Sequence, residues 1–276
     1  MGLPHQAFRN PGAVQFGNFI NYYQFNSAEQ RLDLLSKEHW VLEKGSEHSP
    51  YLVLDVGCNS GVFTQLLRKF LTQVIPSRNI KIYAVDLDPE LIKRAKAENN
   101  CDNIEFACLD VMVAEDFTKI LDYLDKYERT KFDAVCCFSV TMWIHLNHED
   151  TGLQGFLRKL SSLSELLVVE PQPWRCYQTA ERRMKRVDKS FPLFLKLKWR
   201  SNVVEEIENY LINILQRTKL SSASLTVLLD IKIALSVCYA ICLVVKTSKT
   251  SDDDCKFCFL LEEENFWRPE GGGSKS

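Results

Sequence analysis

Short apolar runs alternate with amphipathic stretches along most of the chain, and their order predicts an open α/β sheet. Tyr51 to Val56 is an apolar run interrupted only by Asp55, and Val62 to Phe70 then repeats apolar residues at helical spacing. A glycine-rich turn joins them, so the unit reads as strand, tight turn, helix. Ile80 to Asp86 is a second strand. Asp88 caps the helix that follows, and Pro89 sits at its first position, where no N–H is needed. Leu91, Ile92 and Ala95 give that helix its buried face. Ile104 to Asp110, Phe132 to Phe138 and Leu166 to Glu170 are the third, fourth and fifth strands. Phe156, Leu157, Leu160 and Leu163 mark an amphipathic helix before the fifth, and Val203 to Leu215 is a further one. The fold class is therefore a Rossmann-like, doubly wound and mostly parallel sheet.

The two ends depart from that rhythm. Residues 1–20 hold Pro4, Pro11, Gly12 and Gly17 and read as an arm. Phe16 to Phe25 is dense in aromatics, and Ser27-Ala-Glu-Gln30 is a capping box that should start a helix carrying Arg31, Leu32, Leu34 and Leu35. Residues 1–50 are thus an arm with an aromatic lid, and 51–215 are the core. In 216–276, Ala223 to Val245 is apolar but carries Asp230 and Lys232. Its uncharged part is too short to cross a bilayer, so two buried strands are expected there, and no membrane contact. Gly271 to Ser276 reads as a disordered tail.

Composition narrows the classes. Apolar residues make up 46% of the chain, ample for a core, and the net charge of −2 excludes wholesale coating of nucleic acid. The basic residues gather locally: Arg175 to Arg200 holds nine Lys or Arg against two acids. Such a run is a solvated helix face or an RNA-backbone contact. Ten cysteines without a disulfide-like spacing, two of them adjacent at 136 and 137, suit reduced thiols in the cytosol or nucleus. Cys238, Cys242, Cys255 and Cys258 are spaced unlike a zinc knuckle, so no metal site is expected.

The candidate chemistry lies at the strand ends. Leu54-Asp-Val-Gly-Cys-Asn-Ser-Gly61 is not the dinucleotide fingerprint, because Asn59 stands where a pyrophosphate wants a second close glycine. Asp55 suits a ligand with a positive centre, and S-adenosylmethionine carries both a sulfonium and an ammonium. Asp86, ending the second strand, is placed to accept ribose hydroxyls. Asp110 would reach an adenine amino group, or else cap the next helix. Ser139 to Asp150, with Trp143, His145 and His148, reads as a loop at the ligand-binding edge of the sheet.

Several motifs together resemble the bicoid-interacting-protein-three methyltransferases, in their RNA 5′-monophosphate methyltransferase branch. They are Phe16-Gly-Asn-Phe19 with Tyr22-Tyr23, Glu29-Gln-Arg31-Leu-Asp-Leu-Leu35, the glycine turn, Val85-Asp-Leu-Asp-Pro89, Ser139-Val-Thr-Met-Trp-Ile-His-Leu-Asn-His148, and Glu170-Pro-Gln-Pro-Trp174 with Cys176-Tyr177. The resemblance covers about residues 14–215. It implies a class I fold, methyl transfer from S-adenosylmethionine to the 5′-monophosphate of an RNA, and cytoplasmic substrates such as pre-microRNAs and histidine tRNA. It places Arg31, Asn59, Asp86, Asp110, Val111 and Phe138 around the cofactor, beside Asp55 and Gly57. Tyr22 and His145 would meet the phosphate. The sister branch carries lysine where this chain has Met142. A monomer is expected, and no metal, since methyl transfer to a phosphate needs no Lewis acid. The competing reading is an RNA-binding scaffold with a degenerate fold. The family's C-terminal strand pair, with Gly-Asn-Thr and a tryptophan, has no counterpart here. Either residues 216–276 supply replacement strands or they are a mis-joined tail.

Overall fold

A computed structural model describes residues 13–24, 26–33, 35–40 and 50–219, with the strand segments 225–230, 234–235, 238–239 and 242–247. Side chains from residue 215 onward are outside the described set. The calls on Phe25, Leu34, the four C-terminal cysteines and the terminal tail lie there too.

Five parallel strands form the body of the sheet: β1 (Tyr51–Val56), β2 (Ile80–Asp86), β3 (Ile104–Cys108), β4 (Phe132–Phe138) and β5 (Ser164–Glu170). The C-terminal segment adds β6 (Leu225–Asp230), the short pair β7 (Ala234–Leu235) and β8 (Cys238–Tyr239), and β9 (Cys242–Thr247). The order of the main sheet is β3-β2-β1-β4-β5-β9-β6, with β9 antiparallel to both neighbours. Two buried strands were expected between Ala223 and Val245; β6 lies there and β9 begins there, as an edge pair on β5, while the burial of their side chains falls outside the described residues.

The strands read as near-continuous apolar runs because both faces of the sheet are covered. Side chains alternate between the faces. Along β1, Leu52, Leu54 and Val56 join one core with Ile120, Phe156, Tyr177 and Ile207. These come from α4 (Ala114–Asp125), α5 (Thr141–Ser162), α6 (Trp174–Lys185) and α7 (Val203–Lys219). Tyr51 and Val53 join the other core with Phe63, Leu67 and Leu71 of α2 (Val62–Val74), Ile92 and Ala95 of α3 (Pro89–Ala97), and Ala28 of α1 (Ala28–Asp33).

Local signals act as their residue types require. The Asp88 carboxylate accepts from the backbone N–H groups of Glu90 and Leu91. The Ser27 hydroxyl accepts from Gln30 N, and α1 starts at Ala28. Two expectations are corrected. β3 stops at Cys108, so Asp110 lies in the turn beyond it, where its carboxylate accepts from Met112 N. Residues 141–150 are helix and not loop: α5 begins at Thr141 and kinks at Glu149, whose φ is 58°. The side chain of Gln172 caps this helix start, its carbonyl oxygen lying 3.2 Å from both Met142 N and the Thr141 hydroxyl.

Candidate active site

The order of the strands reverses between β1 and β4, and open α/β sheets bind ligands at such a crevice. A cleft opens there, with Asp55, Gly57 and Asn59 on one wall and Asp86, Asp110 and Val111 on the next. Phe138, Ser139, Val140 and Trp143 line it beyond β4, and the lid closes it with Phe16, Tyr22, Tyr23 and Arg31. Nine of the ten sequence-assigned site residues line this one cleft: Tyr22, Arg31, Asp55, Gly57, Asn59, Asp86, Asp110, Val111 and Phe138.

The glycine turn is shaped by contact. Gly57 has φ 77°, and a Cβ there would lie 2.2 Å from Val140 Cγ2. The backbone must therefore pass directly under the β4–α5 turn. Asn59, at φ 53°, holds the turn to the lid: its Nδ2 donates to Phe19 O at 3.0 Å, and its Oδ1 accepts from Ser60 N. The lid is fastened again by Asn18 Nδ2, 2.6 Å from the Asp88 carboxylate, and by paired bonds between Gln15 and Asn147. Gly17, at φ 75°, lets the lid backbone pass Trp143, whose indole would overlap any Cβ.

Two carboxylates in the cleft are held partly against ionisation. Asp55 is 2% exposed and accepts from the Thr64 hydroxyl at 2.6 Å. Burial pushes it up to about 6, with the nearby Asp86 adding to the shift and Thr64 opposing it. Burial also raises Asp86, although the N–H groups of Asp88 and Asn59 each donate to one of its oxygens. The Leu87 N–H adds a third such bond, and a carboxylate with about four lone pairs still has room for a further donor. On the lid side, Arg31 is 5% exposed. Burial alone would depress its guanidinium, but Glu170 and the Tyr22 hydroxyl reverse that and hold it above its ordinary value. Arg31 lies across the Tyr22 ring at 5.0 Å, and its Nη2 donates to the Tyr22 hydroxyl.

His145, expected to meet the phosphate, is placed apart from the other nine. Its imidazole is fully buried, with 0% exposure, and is absent from the cleft lining. Nδ1 lies 3.1 Å from Tyr177 Oη, Nε2 lies 3.4 Å from Asp150 Oδ1, and Trp199 packs edge-on against the ring. Helical rotation explains this placement. Two positions along a helix turn a side chain by roughly 200°, so Trp143 faces the cleft while His145 faces α6. Read as a loop, 139–150 carried no such constraint. The same cluster holds the basic segment in place, because Asp150 accepts from the backbone N–H groups of Lys198 and Trp199. Met142 is also buried in the core, at 5% exposure. Sequence reasoning gave no role to Ser139 or Glu170. For Glu170 the signal was present: like β1 and β2, β5 carries an acid at its carboxyl end.

A Methyltransferase domain model matches residues 54–166, and the Bicoid-interacting protein 3 model matches residues 132–226. The pre-miRNA 5′-monophosphate methyltransferase of Xenopus laevis is 41% identical over 221 residues, covering 76% of this chain and 86% of that protein. The chain belongs to the Bicoid-interacting protein 3 family of methyltransferases. The RNA 5′-monophosphate methyltransferase of Rattus norvegicus is 43% identical over 212 residues, covering 71% of this chain and 74% of that one. Among solved structures, WbdD with the kinase inhibitor LY294002 aligns over 86% of this chain and 45% of its own, at TM-score 0.50 and 18% identity, a likeness of fold alone. The fold is that of class I methyltransferases, whose methyl donor is S-adenosylmethionine. The cleft fits that donor. Asp55 and the half-buried Asp86 bring the negative charge and acceptors that its cationic groups and ribose hydroxyls require, and Leu87, Leu109 and Val111 line the cleft as apolar residues beside Asp86.

Proposed function

We propose that this family member methylates the 5′-monophosphate of a small RNA, such as a pre-microRNA or a histidine tRNA, in the cytoplasm and as a monomer. One observation carries the reading: the Tyr22 hydroxyl and the Arg31 guanidinium are paired on the lid side of the same cleft that holds Asp55, Gly57 and Asp86. Arg31 is already paired with Glu170, so it is the Tyr22 hydroxyl, a hydrogen-bond donor held beside a methyl-donor site, that suits an anionic acceptor. The names of the relatives, both 5′-monophosphate methyltransferases, point the same way.

When bound, S-adenosylmethionine supplies a methyl group on a cationic sulfur. The chain's own residues then have a limited task. Asp55 and Asp86 would hold the donor's positive and hydroxyl groups, and Leu87 and Val111 would offer its base an apolar surface. Tyr22 donates a hydrogen bond to a phosphate oxygen, and Phe16, Tyr23 and Trp143 exclude water. A phosphate monoester loses its second proton near pH 6, so its oxygen is already a nucleophile at neutral pH and a strong general base is unnecessary. Alignment of two bound groups is worth on the order of 7–11 kcal/mol. We take 1–50 as arm and lid, 51–215 as the catalytic core, and 216–276 as a segment completing the sheet edge. Among the described residues no helix is long and apolar enough to cross a membrane.

The experiment is a methyl-transfer assay on matched RNAs bearing 5′-monophosphate, 5′-triphosphate or 5′-hydroxyl ends. Only the monophosphate should be methylated efficiently. Binding of S-adenosylhomocysteine without turnover on any 5′-phosphorylated RNA would favour the scaffold reading instead.

A further inference from the structure

Glu170 is a buried carboxylate that the methyl-transfer scheme leaves without a task. It ends β5, is 6% exposed, and reaches two elements outside its own strand. Its Oε1 accepts from Arg31 Nε at 3.2 Å, and its Oε2 lies 3.0 Å from Arg31 Nη2. The same Oε2 accepts from the Ser139 hydroxyl at 2.5 Å, while the Glu170 carbonyl accepts from Ser139 N at 3.2 Å. Ser139 has φ 58°, a conformation that a residue with a Cβ keeps only when its surroundings impose it. Both Glu170 contacts impose it.

Arg31 Nη2 also donates to the Ser139 hydroxyl at 2.8 Å and to the Tyr22 hydroxyl. The directions of these bonds matter. Arg31 has donors only, so Tyr22 Oη accepts from it. Ser139 spends its single proton on Glu170. The Tyr22 proton has no carboxylate acceptor in the array; its neighbour there is the Ser139 hydroxyl, and Tyr22 itself sits in the cleft lining. Removing the carboxylate from such an array leaves a buried guanidinium without its counter-charge, which then turns or draws water.

We propose that Glu170 is a positioning residue for methyl transfer: it fixes the Arg31 guanidinium and, through Arg31, aims the Tyr22 hydroxyl at the incoming phosphate. One carboxylate at the end of β5 thereby sets a contact on the donor side of the cleft and a contact on the acceptor side. The Tyr22 arm rests on the RNA 5′-phosphate reading. The Arg31 arm rests only on donor binding.

The test uses the full chain and two double-mutant cycles, with melting curves to establish that each variant is folded at the assay temperature. Glu170→Gln keeps the side chain's size and an acceptor for Ser139 while removing the charge. By calorimetry with S-adenosylhomocysteine, Glu170→Gln should weaken binding about tenfold. Arg31→Lys should cost about tenfold in the wild-type background and under threefold in the Glu170→Gln background, because the fork it removes is already misplaced. In methyl transfer, Tyr22→Phe should lower kcat about tenfold in the wild type and under threefold beside Glu170→Gln. If Glu170→Gln is unfolded, Glu170→Asp, charged but one methylene shorter, carries the same cycles with the same expected coupling. Additive penalties in the calorimetric cycle, or unchanged affinity in the Glu170 variant, overturn the proposal. A wild-type protein that binds S-adenosylhomocysteine but methylates no 5′-phosphorylated RNA overturns the function instead, and the calorimetric cycle still decides the role of Glu170.

Discussion

Acidifying the buffer from about pH 7.5 to about pH 5 should weaken S-adenosylhomocysteine binding about tenfold, and Asp55→Asn should abolish most of that dependence. Asp55 is buried at the end of β1, and its carboxyl is raised from 3.8 to about 6. Burial is the main cause, Asp86 adds like-charge repulsion, and Thr64 and Arg31 oppose it. Ionising it inside the fold therefore costs about 3 kcal/mol relative to water. The sign follows from where the proton sits. The folded chain keeps this proton up to about pH 6 while the unfolded chain releases it near 3.8, so the group lowers stability as pH rises between those values. A ligand ammonium beside Asp55 does the reverse, favouring the ionised form. At pH 5 about nine in ten free molecules would carry the proton, and binding must first remove it. Calorimetry in buffers of different ionisation enthalpy gives a second readout: about half a proton released per binding event near pH 6. Asp86 is raised as well, so the Asp55→Asn profile separates the two. An affinity that is flat from pH 5 to 7.5 in the wild type, or a slope that survives in Asp55→Asn, would refute the assignment of Asp55 to the ligand's positive centre.

Three further substitutions probe other parts of the site. Tyr22→Phe removes one hydroxyl and should lower kcat on 5′-phosphorylated RNA about tenfold while S-adenosylhomocysteine affinity changes less than threefold; matched losses would place Tyr22 on the donor side. Gly57→Ala puts a Cβ 2.2 Å from Val140 Cγ2 at φ 77°. It should destabilise the fold by roughly 1–3 kcal/mol in urea titrations and abolish measurable donor binding. His145→Ala opens the fully buried contact among Tyr177, Asp150 and Trp199 and should cost about 1–3 kcal/mol of stability. Burial holds the imidazole below its ordinary 6.5, with Asp150 opposing, so the wild type loses stability as pH falls below 6.5 and the variant should lack that component. A variant of unchanged stability with lost turnover would return His145 to the substrate.

The sheet was legible because its strands are short apolar runs ended by acids or glycines. β1, β2 and β4 begin and end at the residues the pattern marks. The cleft was legible for the same reason, since Asp55, Gly57 and Asp86 each stand at a strand's carboxyl end. His145 was not. Its motif could be recognised, but whether a side chain in it faces the cleft depends on the helical phase of α5, and the polar residues Asn147, His148 and Glu149 hide that phase. The latch formed by Arg31, Ser139 and Glu170 was also out of reach. Its members are 108 and 139 residues from Arg31, and no local pattern joins them.

The charge in the cleft predicts an order of binding. Arg31 is the one cation among the described lining residues, and Glu170 already neutralises it, while Asp55, Asp86 and Asp110 leave the lining negative. A phosphate dianion is therefore repelled until a cation enters. A unit charge about 4 Å away at an effective dielectric near 20 is worth about 4 kcal/mol, and a quarter of that still exceeds fivefold in affinity. The donor carries one net positive charge before transfer and none after, and the phosphate drops from two negative charges to one. The attraction that admits the RNA thus disappears with the reaction and favours release. Anisotropy of a 5′-phosphorylated oligonucleotide should show at least fivefold tighter binding beside sinefungin, which keeps a cationic amine in place of the sulfonium, than beside S-adenosylhomocysteine. A 5′-hydroxyl oligonucleotide should show no such difference. Equal affinities for the phosphorylated end in both cases would mean that the acids of this cleft do not govern the acceptor.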